Sequence, residues 1–322
     1  MQVASSKNYI TVKERKMLLK KNNWLALAEV FMHWLWIAFA FFIAYYWTNV
    51  LTIIIALFIL GGKQLACAIL MHDTSHRSMF ANPKLETFVG QWFGAYPIFH
   101  DMERYRPYHL SHHINTGLDD KDPDASLTRG YPTSKISMFR KIVRDLTGLT
   151  GIKMIVGIFM MHLGYLEYNL GGKPKKINQE DISFFDRLKM FFRNLGYPIL
   201  ANAILLAILW LVADWWLYLL WIGAYLTTFN FSARIRSMAE HAMVEDRNDP
   251  VKNTRTTYAN IVERVLFAPY NVNYHVEHHM LMGVPCYRLP QMHKILLDKG
   301  FYEKGVLEPN YWRIIVRAVP NS

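Results

Sequence analysis

The sequence predicts an all-α, polytopic membrane protein with four transmembrane helices and a cytoplasmic helical cap. Three observations carry that prediction. The 322-residue chain is 52% hydrophobic and 15% aromatic, more apolar than an ordinary soluble domain. Its apolar residues are gathered into four blocks, each close to the roughly 20 residues that cross a bilayer as a helix. Its basic residues avoid the short links inside each pair of blocks.

The elements follow in order. The first 21 residues contain Lys7, Lys13, Arg15, Lys16, Lys20 and Lys21. Residues 24–47 form the first span, with only Glu29 and His33 as acidic or basic groups, and residues 49–71 form the second, with only Lys63. The first span begins too late and runs too long to be a cleaved signal peptide. Residues 195–212 and 215–232 carry no charge and form the third and fourth spans. The links at 46–50 and 213–214 lack Lys and Arg. The positive-inside rule therefore places the N-terminus and the long polar segments, 72–194 and 233–322, in the cytoplasm. No repeat or independent second unit interrupts the chain, so residues 1–322 read as one integral-membrane domain. Residues 171–179 are the best candidate linker.

The net charge of +11 belongs to dispersed residues on a membrane protein, which suits an anionic membrane surface and not a nucleic acid. Cys67 and Cys286 form no CxxC pair and imply neither a disulfide framework nor an iron–sulfur site.

Eight of the 13 histidines fall in three boxes. "HDTSH" places His72 and His76 four residues apart, directly after the second span. "HLSHH" supplies His109, His112 and His113, and "HVEHH" supplies His275, His278 and His279. Residues three and four apart share one helix face, so each box directs its imidazoles one way. Eight histidines exceed the needs of a single ion and fit two. There is no HExxH zinc-protease motif, and imidazole suits iron, copper, nickel and zinc alike. The residues alone predict a nitrogen-rich two-metal site in the cap.

HxxxH, HxxHH and HxxHH set around two pairs of spans resemble the membrane fatty-acid desaturase and hydroxylase superfamily, over about residues 25–295. The resemblance implies a non-haem centre of two iron ions on these eight histidines, with dioxygen as co-substrate. It also implies a further ligand just after the last span, and His241 in "SMAEHAM" matches. It implies no catalytic residue beyond the metal ligands. Asp73, Asp101, Glu240 and Glu277 are candidates to accept hydrogen bonds from ligand imidazoles, although Glu240 is expected to point elsewhere on its helix than His241. The acidic run 119–124 is expected to be a solvated turn. His33 is expected to be a polar group in the first span, His162 and His293 are expected to be packing or surface residues, and His100 is left unassigned.

The leading functional expectation is an oxygen-dependent fatty-acyl desaturase acting on a membrane lipid or fatty-acyl substrate. Related hydroxylases, carotenoid ketolases and terminal-alkene-forming decarboxylases would share the same ligands. A metal transporter is a remote alternative, because transporters place their ligands at mid-membrane and these boxes lie outside the spans. No GxGxxG, CxxC or fused cytochrome segment is present, so an external electron donor such as a ferredoxin is expected on the basic cytoplasmic face. The boxes meet at one centre only if the chain crosses the membrane an even number of times between them. Residues 151–170, which contain His162 and Glu167, are therefore expected to lie along the interface, with Lys173, Lys175 and Lys176 beyond them in the cytoplasm.

Overall fold

The computed structural model describes residues 9–171, 174–180 and 182–320; Lys7 and Lys173 lie outside them. The described residues are predominantly helical. In order it forms α1 (Val12–Leu18), α2 (Asn23–Tyr46), α3 (Val50–Ser75) and α4 (Pro83–Val89), then a π-helical turn, Gly90–Ala95. Next come α5 (Met102–Asn115), α6 (Ala125–Thr128), α7 (Lys135–Leu146), α8 (Leu149–His162), α9 (Phe184–Val212), α10 (Leu217–Leu226) and α11 (Thr228–His241). The tail adds β1 (Thr256–Thr257), α12 (Ile261–Leu266), α13 (His275–Met280), α14 (Leu289–Asp298), β2 (Leu307–Glu308) and α15 (Tyr311–Ala318). The two short strands pair in parallel, Thr256 opposite Leu307.

Polar side chains start the long helices. Asn22, Asn49 and Ser183 each accept a hydrogen bond from a first-turn N–H of α2, α3 and α9, satisfying donors that have no partner within the helix. α2, α3 and α9 are long and apolar enough to cross a membrane. α9 begins at Phe184, well before the expected start at Leu195.

The fourth expected span, 215–232, is not one helix. α10 stops at Leu226, and Thr227 breaks the chain with φ −116° and ψ −87° before α11 begins. The physical cause lies in the threonine pair. Thr227 Oγ1 donates to Gly223 O at 2.6 Å, and Thr228 Oγ1 turns outward to Leu57 O on α3 at 2.5 Å. Hydroxyls that bond backbone carbonyls compete with helix geometry. Carbonyls at the break are recovered by Asn230 Nδ2, which donates to Tyr225 O and Leu226 O. The break also admits close packing: a Cβ on Gly61 of α3 would lie 2.3 Å from Thr228 Oγ1.

α3 is the central element. Apart from Ala68, every residue from Ile59 to Ser75 is buried, with α2, α5, α10, α11 and α12 packed around it. α8 holds 14 residues, about 21 Å of helix, short of the roughly 30 Å hydrocarbon core. The 151–170 segment does not continue as helix past His162; it turns and forms a bridge between Leu166 and Lys176.

Candidate metal centre

Each histidine box sits at a helix end fixed by local bonds. His72 occupies the last turn of α3 and His76 is its C-cap. Thr74 Oγ1 donates to Leu70 O and Ser75 Oγ to His72 O, at 2.6 and 2.7 Å. Arg106 of α5 donates to Ser75 O at 2.8 Å, joining the helix of the second box to the end of the first. His109, His112 and His113 form the buried face of α5, and His275, His278 and His279 lie buried on α13. His241 ends α11. Arg255, itself buried, donates to Ala239 O, Ala242 O and Met243 O at 2.9–3.0 Å, so one guanidinium caps the carbonyls that surround His241.

All nine imidazoles meet in one place. His72, His76, His109, His113 and His278 offer ligand atoms within 4.8 Å of one another. His112, His241 and His279 form a second such group, and His241 and His275 form an overlapping one with Glu240. Nε2–Nε2 separations are 3.0 Å for His109–His113, 3.1 Å for His113–His278, 2.8 Å for His241–His275 and 3.1 Å for His275–His279.

Whether these residues suit metal ions can be tested on the donor atoms. His72 Nδ1 lies 2.6 Å from Asp73 Oδ1 and His112 Nδ1 2.8 Å from Asp122 Oδ1. A proton on each of these Nδ1 atoms leaves the Nε2 lone pair facing the cluster. His72 Nε2 and both ring nitrogens of His76 are buried without a partner, an arrangement rare in folded proteins unless something binds there. Burial lowers the proton affinity of His109, His113, His275, His278 and His279 well below the ordinary histidine value, so each is held as a neutral imidazole, the form that binds a metal. His112 differs: burial lowers its proton affinity, but Asp124, Asp122 and Glu240 together raise it above the ordinary value. With protons on Nδ1, neighbouring imidazoles would turn their Nε2 lone pairs toward one another, and a cation between them would remove that repulsion. With nitrogen–metal bonds of about 2.0–2.1 Å, neighbouring ligand atoms set at right angles lie about 2.9 Å apart, close to the observed spacings. The residues fit two metal ions.

Four expectations need correction. The 119–124 run is not merely a solvated turn. Asp122 is turned inward by accepting from Gly117 N and Asp124 N as well as facing His112. Asp101 does not reach a box histidine; it is the N-cap of α5, accepting from Arg104 N. Glu240 does not point away. Its Oε2 lies 3.6 Å from His275 Nε2, steered by Arg236 one turn earlier at 2.7 Å. Glu277 accepts from Thr256 Oγ1 and pairs with His293, at 2.6 and 2.5 Å, so it anchors α13 through neighbours and not through a ligand imidazole.

The remaining histidines stay outside the cluster. His33 contacts Cys67 Sγ at 3.5 Å, His162 pairs with Arg104 at 2.7 Å, and His100 meets Tyr168 OH at 3.2 Å. The acidic run 119–124 was the signal that contained Asp122; no local pattern singled out Arg255, because its partners come from another element.

A cavity of about 430 Å³ runs along α11 and reaches Met71 and His72. Beside it, a pocket of about 30 Å³ is lined by His109, His112, His241 and His275, room for one or two water-sized molecules. Tyr105, Asp124, Leu127, Arg236 and Ser237 border both.

The family model described as fatty acid desaturase matches residues 44–311. The chain belongs to the fatty acid desaturase family. A curated relative, dihydrorhizobitoxine desaturase from Bradyrhizobium elkanii, is 29% identical over 254 residues, covering 78% of this chain and 69% of the relative. The match includes all nine clustered histidines, and the family is one of oxidoreductases. In this desaturase-family chain the central α3 and the broken α10–α11 pair both deliver histidines to one end of the helical bundle.

Proposed function

We propose that this chain is an oxygen-dependent membrane desaturase that introduces a carbon–carbon double bond into a fatty-acyl or similar chain. The observation that carries the reading is the convergence of nine imidazoles, seven buried and two half-buried, in two groups beside a cavity that reaches His72. His72, His76, His109, His113 and His278 would hold one iron ion. His112, His241, His275 and His279 would hold the other, with Glu240 alongside. When bound, the iron pair supplies the reductive activation of dioxygen.

The residues do the rest. Asp73 and Asp122 orient His72 and His112 and fix their tautomers. Met71 and Phe229 give the substrate an apolar wall against the site, excluding water and holding a methylene near the histidines. In the overall reaction dioxygen takes the hydrogens of two adjacent carbons, together with two electrons and two protons, and leaves as water. The electrons come from an external donor such as a ferredoxin.

The topology is part of the proposal. The C-terminal ends of α3 and α11 meet at the histidines, so both helices run toward the same membrane face. α9 must then cross away from that face and α10–α11 return, making four crossings with the N-terminus and the boxes cytoplasmic. Expression in a host of known lipid composition, with products compared by mass spectrometry, tests the activity. New unsaturation that disappears in His278→Ala is the expected result. A hydroxylated or decarboxylated product would replace desaturation with one of the sister reactions.

A further inference from the structure

The cavity that reaches His72 has unlike ends. Its inner end is closed by the buried Met71, His72 and His100. Beside α6 and α7 its lining includes the exposed Arg129. Between them Met154 and Phe229 supply apolar wall, while Lys141, Arg234 and Arg129 make the outer part basic.

The cations there are not equivalent. Arg234 is neutralised by Asp145, with contacts of 2.5 and 2.8 Å. Arg129 meets Asp119 at 3.2 Å, and Arg236 meets Glu240 at 2.7 Å. Among the described residues Lys141 has no carboxylate within 4.0 Å. Its ammonium donates to Gly130 O at 3.2 Å and lies 4.0 Å from the centre of the Tyr131 ring. Burial, then Arg234 and Arg144, lower its proton affinity, and both effects disfavour the charged ammonium. A bound anion would supply the missing counter-charge.

The cavity is also compact. Its 430 Å³ lies toward the small end of the range of about 300–1,000 Å³ for ligand sites. Arg234 and His241 are seven residues apart on α11, about 10 Å along the helix.

We propose that the substrate carries an anionic group, a carboxylate or a phosphate, that docks on Lys141 at the cavity mouth while a chain of medium length runs past Met154 and Phe229 to His72. The inference rests on the reading of this cavity as the substrate site of a desaturase. It makes Lys141 a specificity-determining residue and excludes neutral lipids as preferred ligands. A carboxylate would come from a free acid, a phosphate from a phospholipid headgroup or a phosphate-bearing carrier.

Binding of decanoate, decyl phosphate and decanol to the iron-loaded protein in uncharged phosphatidylcholine nanodiscs tests this. At least one of the two anions should bind about ten-fold or more tighter than decanol, a difference of the size expected for one charge-assisted contact. A preference for decanoate identifies the free acid, and one for decyl phosphate the phosphate source. Lys141→Met should abolish the preference and Lys141→Arg should keep it. Equal affinity for all three ligands in the unmodified protein overturns the proposal, as does an undiminished preference in Lys141→Met. Iron content is measured on the same samples. Anion preference in a protein that never holds iron would contradict the di-iron reading and leave this one standing, whereas iron without anion preference would do the reverse.

Discussion

His241 Nε2 and His275 Nε2 lie 2.8 Å apart, although one ends α11 and the other begins α13. Neither helix brings them together alone. Arg255 holds the end of α11 at Ala239 O and Ala242 O, and the strand pairing that starts at Thr256 carries the chain on toward α13. This contact sets the second group of imidazoles, and it leads to the first expectation. His241→Ala should lose most of the iron from one of two sites and nearly all turnover. His278→Ala, in the five-histidine group, should deplete the other. Iron per chain and turnover on folded, purified protein check this. Unchanged iron in His241→Ala would reduce it to an ordinary half-buried histidine.

The carboxylates divide by what they touch. Asp122→Asn removes the negative charge 2.8 Å from His112 Nδ1, and Glu240→Gln removes the charge 3.6 Å from His275 Nε2. Each should weaken iron binding by about 10–100-fold, the usual cost of losing a partner behind or beside a ligand. Asp101→Asn should leave metal affinity unchanged, since Asp101 serves the N-terminus of α5. Chelator competition measures all three. Equal affinities across the set would show that the carboxylates shape the fold and not the metal site.

Topology makes a separate prediction. α8 is too short to cross, so residues beyond it remain on the face that holds the boxes. A cysteine at Lys175 should react with a membrane-impermeant thiol reagent only from the cytoplasmic side. Cys67 and Cys286 are buried and should give little background. Labelling from the outside alone would break the four-crossing arrangement and the common centre with it.

Acid should unfold the metal-free protein readily. His109, His113, His275, His278 and His279 have lowered proton affinities in the folded state because they are buried. The unfolded chain takes up those protons below its ordinary histidine pKa of about 6.5, and the folded chain does not. Stability is therefore complete above that pH and falls as the pH drops. Each imidazole kept neutral costs about 1.4 kcal/mol per pH unit. Thermal midpoints of metal-free protein in detergent should fall steadily from pH 7 to pH 5, and bound metal should raise the midpoint throughout. A flat profile would mean that these imidazoles protonate freely in the folded state.

Sequence by itself determined the helical class, the spans at α2, α3 and α9, and which histidines would share a face. Those features depend on local periodicity: apolar length against bilayer thickness, and the three- and four-residue spacing of one helical turn. His241 was reached by family resemblance and by its place beyond an apolar block. Tertiary structure decided what periodicity does not encode. The break at Thr227 depends on Leu57 O of α3, which receives the Thr228 hydroxyl. Asp122 and Glu240 read as solvent-facing or misdirected carboxylates until the packing of α5, α11 and α13 turned them inward. The division of nine imidazoles into two groups has the same origin. His112 and His113 are adjacent in sequence, yet successive helical residues point about 100° apart, so they join different groups. Only the packing of α3 and α13 against α5 and α11 determines which partners each one meets.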